Sequence, residues 1–235
     1  MLVTDRHRAW LNGDLDDIVD TSGSLELLSE LFEHSTSAGD SGQFESPVGM
    51  QVEPLGLTRE ELNSIGGKKI LDIGCGQKAN LVYWLRELGA DAEGIDPRVS
   101  NGERYLMKRR FSGMGSSDNG IPRSDGFYDL VIAHSVPPIR HGLSDLKSLA
   151  RSESNPSADI IVKGTMMVLE ALRVLDSRGE FACWPALSRT GHLSPFLAAG
   201  GWEMKKVPVY SSMPLSPQEY DLVGDVAYRT EIRKG

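Results

Sequence analysis

The sequence predicts an α/β fold: a mostly parallel sheet with helices packed on both faces. Three observations lead there. From Lys68 onward, short apolar strands alternate with amphipathic helices. The strand "KKILDI" runs directly into the glycine pair of "DIGCG". Asp96 then closes the following strand, 24 residues after Asp72. Alternating strand and helix units impose right-handed crossovers and a parallel sheet. Such sheets hold ligands beyond the C-terminal ends of their strands, where the order of the strands reverses.

The elements follow in order. "DLDDIVD" (Asp14–Asp20) is a short helix, and "LELLSELFEH" (Leu25–His34) has helical apolar spacing. Ser35–Pro47 is rich in Ser and Gly, and forms a linker. Thr58 caps the next helix, with Glu61 three residues on completing a capping box, and Gly66-Gly67 ends it. The first strand is Lys68–Ile73. The helix after it, Ala79–Ala90, sets Leu81, Trp84, Leu85 and Leu88 on one face. "DAEGIDP" is the second strand, and "ERYLMKRRF" (Glu103–Phe111) is a helix. Phe127–Ser135 is the strongest buried strand of the chain. A helix over Ile160–Leu175 turns through "SRG" into the strand "EFACWPA". "LSPFLAAGGW" is the last helix, followed by the strands "EMKKVPVY" and "DVAYRTEI".

Charge divides the chain. Residues 1–50 hold ten acidic and two basic residues, which accounts for the whole net charge of −8. The expected organisation is an acidic helical cap over 1–50 and a nucleotide-binding-type domain over 51–235. The first segment is either a lid or a helix packed on the domain edge, where a homodimer contact would form. The only local basic run is Lys108–Arg110. A polyanion-binding protein needs a wider basic face, which argues against nucleic acid as a partner. No apolar run approaches the roughly 20 residues of a membrane helix. The N-terminus lacks the apolar core of a secretory signal. Cys75 and Cys183 form neither a disulfide framework nor a metal cluster. The expectation is a cytoplasmic protein with no metal and no membrane contact.

The loop Gly74–Gly76 turns sharply and lets a ligand approach its backbone. An acid at the second strand end commonly binds ribose hydroxyls, a role open to Asp96. Ala79 stands where a dinucleotide-binding loop places its third glycine, and alanine is accepted there, so this spacing alone does not select the cofactor.

The acid-x-Gly-x-Gly order of "DIGCG" resembles the loop of class I S-adenosylmethionine-dependent methyltransferases. Three further stretches are similar to that family in order and spacing. They are "IPRSDGFYDLV" (Ile121–Val131), "LEALRVLDSRG" with Glu170, Arg173 and Gly179, and "FLAAGGWEMKKV". The resemblance spans about Lys68 to Val209. It implies a single Rossmann-like three-layer domain with a seven-stranded sheet whose last strand is antiparallel. It implies S-adenosyl-L-methionine as cofactor, held by Asp72, Gly74, Cys75, Gly76, Asp96, Pro97, Ala133 and the Ser116, Ser117, Asp118 region. Asp72 suits the cofactor's ammonium group. The sequence departs from the family pattern at Lys78, where a third glycine is common, and at Ser116 or Ser117, where an Asp is common. A nicotinamide-dependent oxidoreductase fits these segments less well. A methyltransferase-fold protein that binds a nucleoside-type ligand or a partner without methyl transfer is the alternative.

The acceptor expected is a small molecule, with a hydroxyl as the group methylated. His134 ends the strand that this family aims at the acceptor. An imidazole near neutral pH can take a proton, orient the acceptor, or simply line the pocket. Ser135 follows it. Trp184, Arg189 and His192, in the stretch after a strand end, and His141, on a loop, are the other pocket candidates.

Overall fold

The computed structural model describes residues 49–52, 54–99, 103–109, 120–143, 158–186, 193–209 and 227–235. The helices expected over Asp14–Asp20 and Leu25–His34, and the linker after them, lie outside the described residues. The helices are α1 (Gly49–Val52), α2 (Arg59–Asn63), α3 (Asn80–Glu87), α4 (Pro137–Gly142), α5 (Ala158–Val174) and α6 (Ser194–Ala199). The strands are β1 (Lys69–Ile73), β2 (Asp91–Ile95), β3 (Leu106–Met107), β4 (Tyr128–His134), β5 (Leu175–Ala186), β6 (Trp202–Val209) and β7 (Ala227–Lys234). They form one seven-stranded sheet in the order β3-β2-β1-β4-β5-β7-β6. Neighbours from β3 to β5 are parallel, and β7 is antiparallel to both β5 and β6. This is the Rossmann-like three-layer architecture expected.

Side chains alternate across the pleat, which splits the core into two layers. Ile73, Val131, Ala133 and Phe181 pack on one face with Val168, Leu169 and Leu172 of α5. Ile70, Ile132, Ala182 and Trp184 face the other way, against Leu55, Ile65, Leu81 and Leu85. The capping box forms: Thr58 Oγ1 accepts from the Glu61 amide at 3.3 Å, and Glu61 accepts from the Thr58 amide at 2.8 Å. The buried stripe of α3 is Leu81, Val82 and Leu85. Leu88 is exposed, since the helix stops at Glu87 and leaves Leu88 at its C-cap.

Three elements differ from the sequence expectation. The segment expected as the helix Glu103–Phe111 instead supplies β3, whose Leu106 and Met107 pair with Gly94 and Ile95. The open edge of β2 needs acceptors: the Gly94 amide donates to Tyr105 O and the Asp96 amide to Met107 O. Local helical spacing gives way to that demand. The "SRG" turn is absorbed into β5 as an irregularity, where pairing with β4 jumps from Tyr128↔Leu175 to Leu130↔Glu180. Finally, His141 lies in α4 and not on a loop. Pro137 opens that helix, where its missing N–H costs nothing.

Arg173, near the end of α5, ties the layers together. Its Nε and Nη2 bond both oxygens of Glu170, at 2.9 and 2.7 Å. Nη1 donates to Asp125 at 2.7 Å and to Arg123 O, and Nη2 donates to Ile121 O. Glu170, fully buried, also accepts the Ile121 amide at 2.8 Å. The matched residues of two separated motifs are therefore one hydrogen-bonded clamp on the loop before β4. Arg173→Met would strip buried Glu170 of its guanidinium partner, with an expected loss of about 3–5 kcal/mol. Arg178→Ala, at an exposed side chain, should cost under about 0.5 kcal/mol. Urea unfolding of the two variants checks this; equal losses would dismiss the clamp.

Candidate active site

The C-terminal ends of β2, β1 and β4 bring Asp72, Gly74, Cys75, Gly76, Asp96, Pro97, Ala133, His134 and Ser135 to one edge of the sheet. Ile73 pairs with Ile95 on one side and Ala133 on the other. Gly74, Cys75 and Gly76 therefore rise between Asp96-Pro97 and His134-Ser135. The Gly74 amide donates to Ile95 O at 2.8 Å, and the Gly76 amide to Asp96 Oδ2 at 3.2 Å. Gly74 sits at φ +77°, and a Cβ there would lie 2.6 Å from Val136 Cγ2. No other residue suits that position. Cys75 fills the space against Gly94, whose own Cβ would meet its Sγ at 2.7 Å. Its side chain packs there.

Two non-glycine residues hold left-handed backbone at this rim. Ala79, the N-cap of α3, has φ 50°, and Ser135 has φ 52°. Such conformations cost of order 1 kcal/mol or more and gather at functional sites. The conformation a glycine would have supplied is thus present at Ala79. Ser135 is held by its amide, which donates to Trp184 O at 2.7 Å.

Two buried carboxyls face this loop in different states of satisfaction. Asp96 accepts from Gly76 and from Arg98. Asp72 is 2% exposed, and its Oδ2 has no partner among the described residues. Burial first, and the charge of Asp96 second, push the Asp72 carboxyl from 3.8 up to about 7. A buried acid with an unsatisfied oxygen is suited to a cationic ligand.

His134 is 8% exposed and stacks on Trp184, with ring centroids 5.1 Å apart at 23°. The two residues are register partners across β4 and β5. The indole Nε1 is buried with no partner among the described residues. Ser116, Ser117, Asp118, Arg189 and His192 lie outside the described residues. Sequence reasoning missed three features. Arg98 is one; its signal is the Asp-Pro-Arg turn at the strand end. Val136 is another, set under Gly74 by the β4–α4 turn. The third is a row of register partners beyond Ala133: Cys183, Thr230 and Lys206. Burial pushes the Cys183 thiol up to about 12 and Lys206 down to about 8. Cys183 is thereby a neutral thiol and a poor nucleophile. No group of three or more metal-type ligands occurs among the described residues, and none of their helices is long and apolar enough to cross a membrane.

The strand order, the antiparallel β7 and the glycine loop at the β1 end settle the architecture. The fold is that of the class I methyltransferases. No family model matches the chain. The chain is 30% identical over 134 residues to the tRNA U34 carboxymethyltransferase of Methylococcus capsulatus, a match covering 50% of this chain and 38% of that protein. The match thus spans well under half of the relative's length. Among solved structures, the magnesium protoporphyrin IX methyltransferase of Synechocystis PCC 6803 is similar at 14% identity and a TM-score of 0.43, covering 100% of this chain and 98% of the other. A SAM-dependent methyltransferase from Aquifex aeolicus is similar at 16% identity and 0.39, covering 88% and 98%.

Asp72 generates a pH prediction. The folded state keeps its proton up to about pH 7, while the unfolded chain loses it near 3.8. Between those values the unfolded state binds fewer protons, so stability falls as pH rises. Asp72→Asn should remove that decline in the ligand-free protein. Melting curves between about pH 5 and pH 8 should show the variant gaining on the wild type as pH rises. Parallel curves would reject the assignment.

Proposed function

We propose that the chain binds S-adenosylmethionine at the β2, β1 and β4 ends and transfers its methyl group to a small-molecule acceptor. The observation that carries this reading is the pairing of Asp72 and Asp96 across the glycine loop. One acid has a buried, unsatisfied oxygen for a cation. The other stands at a strand end, where a ribose diol is received. The loop between them offers backbone without side chains. When bound, the cofactor supplies a methyl group on a positively charged sulfur, which leaves as the neutral thioether after in-line attack.

The chain's own part is positioning and exclusion of water. Asp72 would hold the ammonium group, and Asp96 the ribose hydroxyls. Gly74, Cys75 and Gly76 would line the methionine side, and Pro97 and Ala133 the adenosine side. The Ser116, Ser117, Asp118 segment is proposed for the adenine. The acceptor pocket is assigned to His134, Ser135 and Trp184, with His141, Arg189 and His192 as further candidates. For a hydroxyl acceptor the proton must leave as the carbon–oxygen bond forms. The stacking of His134 on Trp184 holds the imidazole in one orientation, which suits a group that orients the acceptor as well as one that takes this proton. The acidic residues 1–50 are proposed as a cap on the acceptor side. An RNA acceptor is a second reading, supported by the similarity to a tRNA-modifying protein. The acidic balance of the chain, net −8, favours the small molecule.

Adenosylhomocysteine titrated by calorimetry should bind once per chain, and NAD should not bind. Asp96→Ala removes charge-assisted hydrogen bonds worth about 1.5–3 kcal/mol and should weaken binding at least about tenfold. An unchanged dissociation constant would place the ribose elsewhere. For His134, Asn substitution should lower turnover by roughly 10²–10⁴ if it takes the proton. Much of the rate should survive if it only orients the acceptor. A lower melting temperature with unchanged kinetics would remove it from the site.

A further inference from the structure

The hydrogen-bond inventory of Asp96 is full. A carboxylate offers about four acceptor positions. Oδ1 takes the Arg98 amide at 2.7 Å and Arg98 Nε at 3.1 Å. Oδ2 takes the Gly76 amide at 3.2 Å and Arg98 Nη2 at 3.1 Å. The two backbone donors belong to the loop and strand end, and both are fixed by the fold. The two side-chain donors form the parallel fork that guanidinium makes with a carboxylate. A ribose diol brings two hydroxyl donors, and the backbone amides leave only the two positions that the fork occupies.

We infer that Arg98 is a latch on the ribose seat, closed in the ligand-free protein and swung away when the adenosine group enters. This rests on the cofactor reading above and adds a gate to it. The geometry allows the motion. The Asp96 side chain is 4% exposed and cannot move out, whereas that of Arg98 is 43% exposed and borders solvent. An exchange of donors on a fixed carboxylate leaves no buried acceptor unsatisfied in either state. The Arg98 amide is held by Asp96 Oδ1 at 2.7 Å, so the motion falls on the side chain. The latch lowers apparent affinity in proportion to the time it spends closed. It also makes Arg98 selective: a ligand without a vicinal diol has nothing with which to displace the fork.

The test is calorimetric titration of wild type, Arg98→Lys and Arg98→Met with adenosylhomocysteine. Arg98→Met should bind roughly three- to tenfold more tightly than wild type. Arg98→Lys, a cation without the planar fork, should fall between. Salt gives an independent measurement on the wild type alone. Raising it from about 0.05 to about 0.5 M weakens the exposed side of the ion pair. Wild-type affinity should rise about twofold, while that of Arg98→Met stays level. Weaker or equal binding by Arg98→Met, or wild-type affinity that falls with salt, overturns the latch and leaves the cofactor reading standing. Binding by none of the folded proteins overturns both.

Discussion

The buried pair of Glu170 and Arg173 is the constraint on which the site depends. Both groups lie on the last turns of α5, and between them they take up the backbone of Ile121 and Arg123 and the side chain of Asp125. That loop feeds β4, and β4 lies between β1 and β5. Fixing its entry fixes where its far end arrives. The register then sets Ala133 beside Ile73 and His134 beside Trp184. A second tie runs from Glu93 on β2 to Arg123 and to the Tyr128 hydroxyl. The position of the glycine loop against β4 is thus decided at the opposite end of the strands. Breaking a buried ion pair costs far more than forming one returns, so these ties specify an arrangement more than they add stability.

The electrostatics of the loop follow from an asymmetry. Asp96 reaches backbone amides and a guanidinium, and its charge is compensated. Asp72, two residues back along β1 from Gly74, is enclosed by the sheet and feels Asp96 as an added negative neighbour. Two acids beside one loop thus have environments that separate their behaviour, a pattern that gathers at functional sites. The adjoining backbone strain at Ala79 and Ser135 belongs to the same rim. It shows where the fold has spent stability on shape.

Much of this was legible in the sequence, for local reasons. The glycine pair, the strand-end acid, the capping box and the apolar run of β4 all act within a few residues of themselves. What could not be read was set from a distance. β3 forms because β2 has an open edge, and nothing between Glu103 and Phe111 announces it. The turn inside β5 becomes a bulge because the strand must keep its pairing with β4. Leu88 leaves the core because α3 stops one residue before it. The bonds of Arg98 to Asp96 and the row Cys183, Thr230 and Lys206 depend on rotamers and register, which periodicity does not reveal. The roles of the expected adenine segment and of Arg189 and His192 fall on residues outside those described.

The place of β7 has a consequence for how this molecule is made. It lies between β5 and β6, yet follows both in the chain. β6 therefore emerges from the ribosome with no strand to pair with, and waits until Ala227–Lys234 is synthesised. A strand left open in this way invites pairing with other chains. β6 carries its own protection: Glu203, Lys205, Lys206 and Pro208 interrupt its apolar residues with charge and remove one amide donor. Once β7 is seated, β6 becomes the permanent outer strand, and the residues that guarded the nascent chain go on guarding the finished sheet. At the opposite margin, β3 is only two residues long and offers little to template upon.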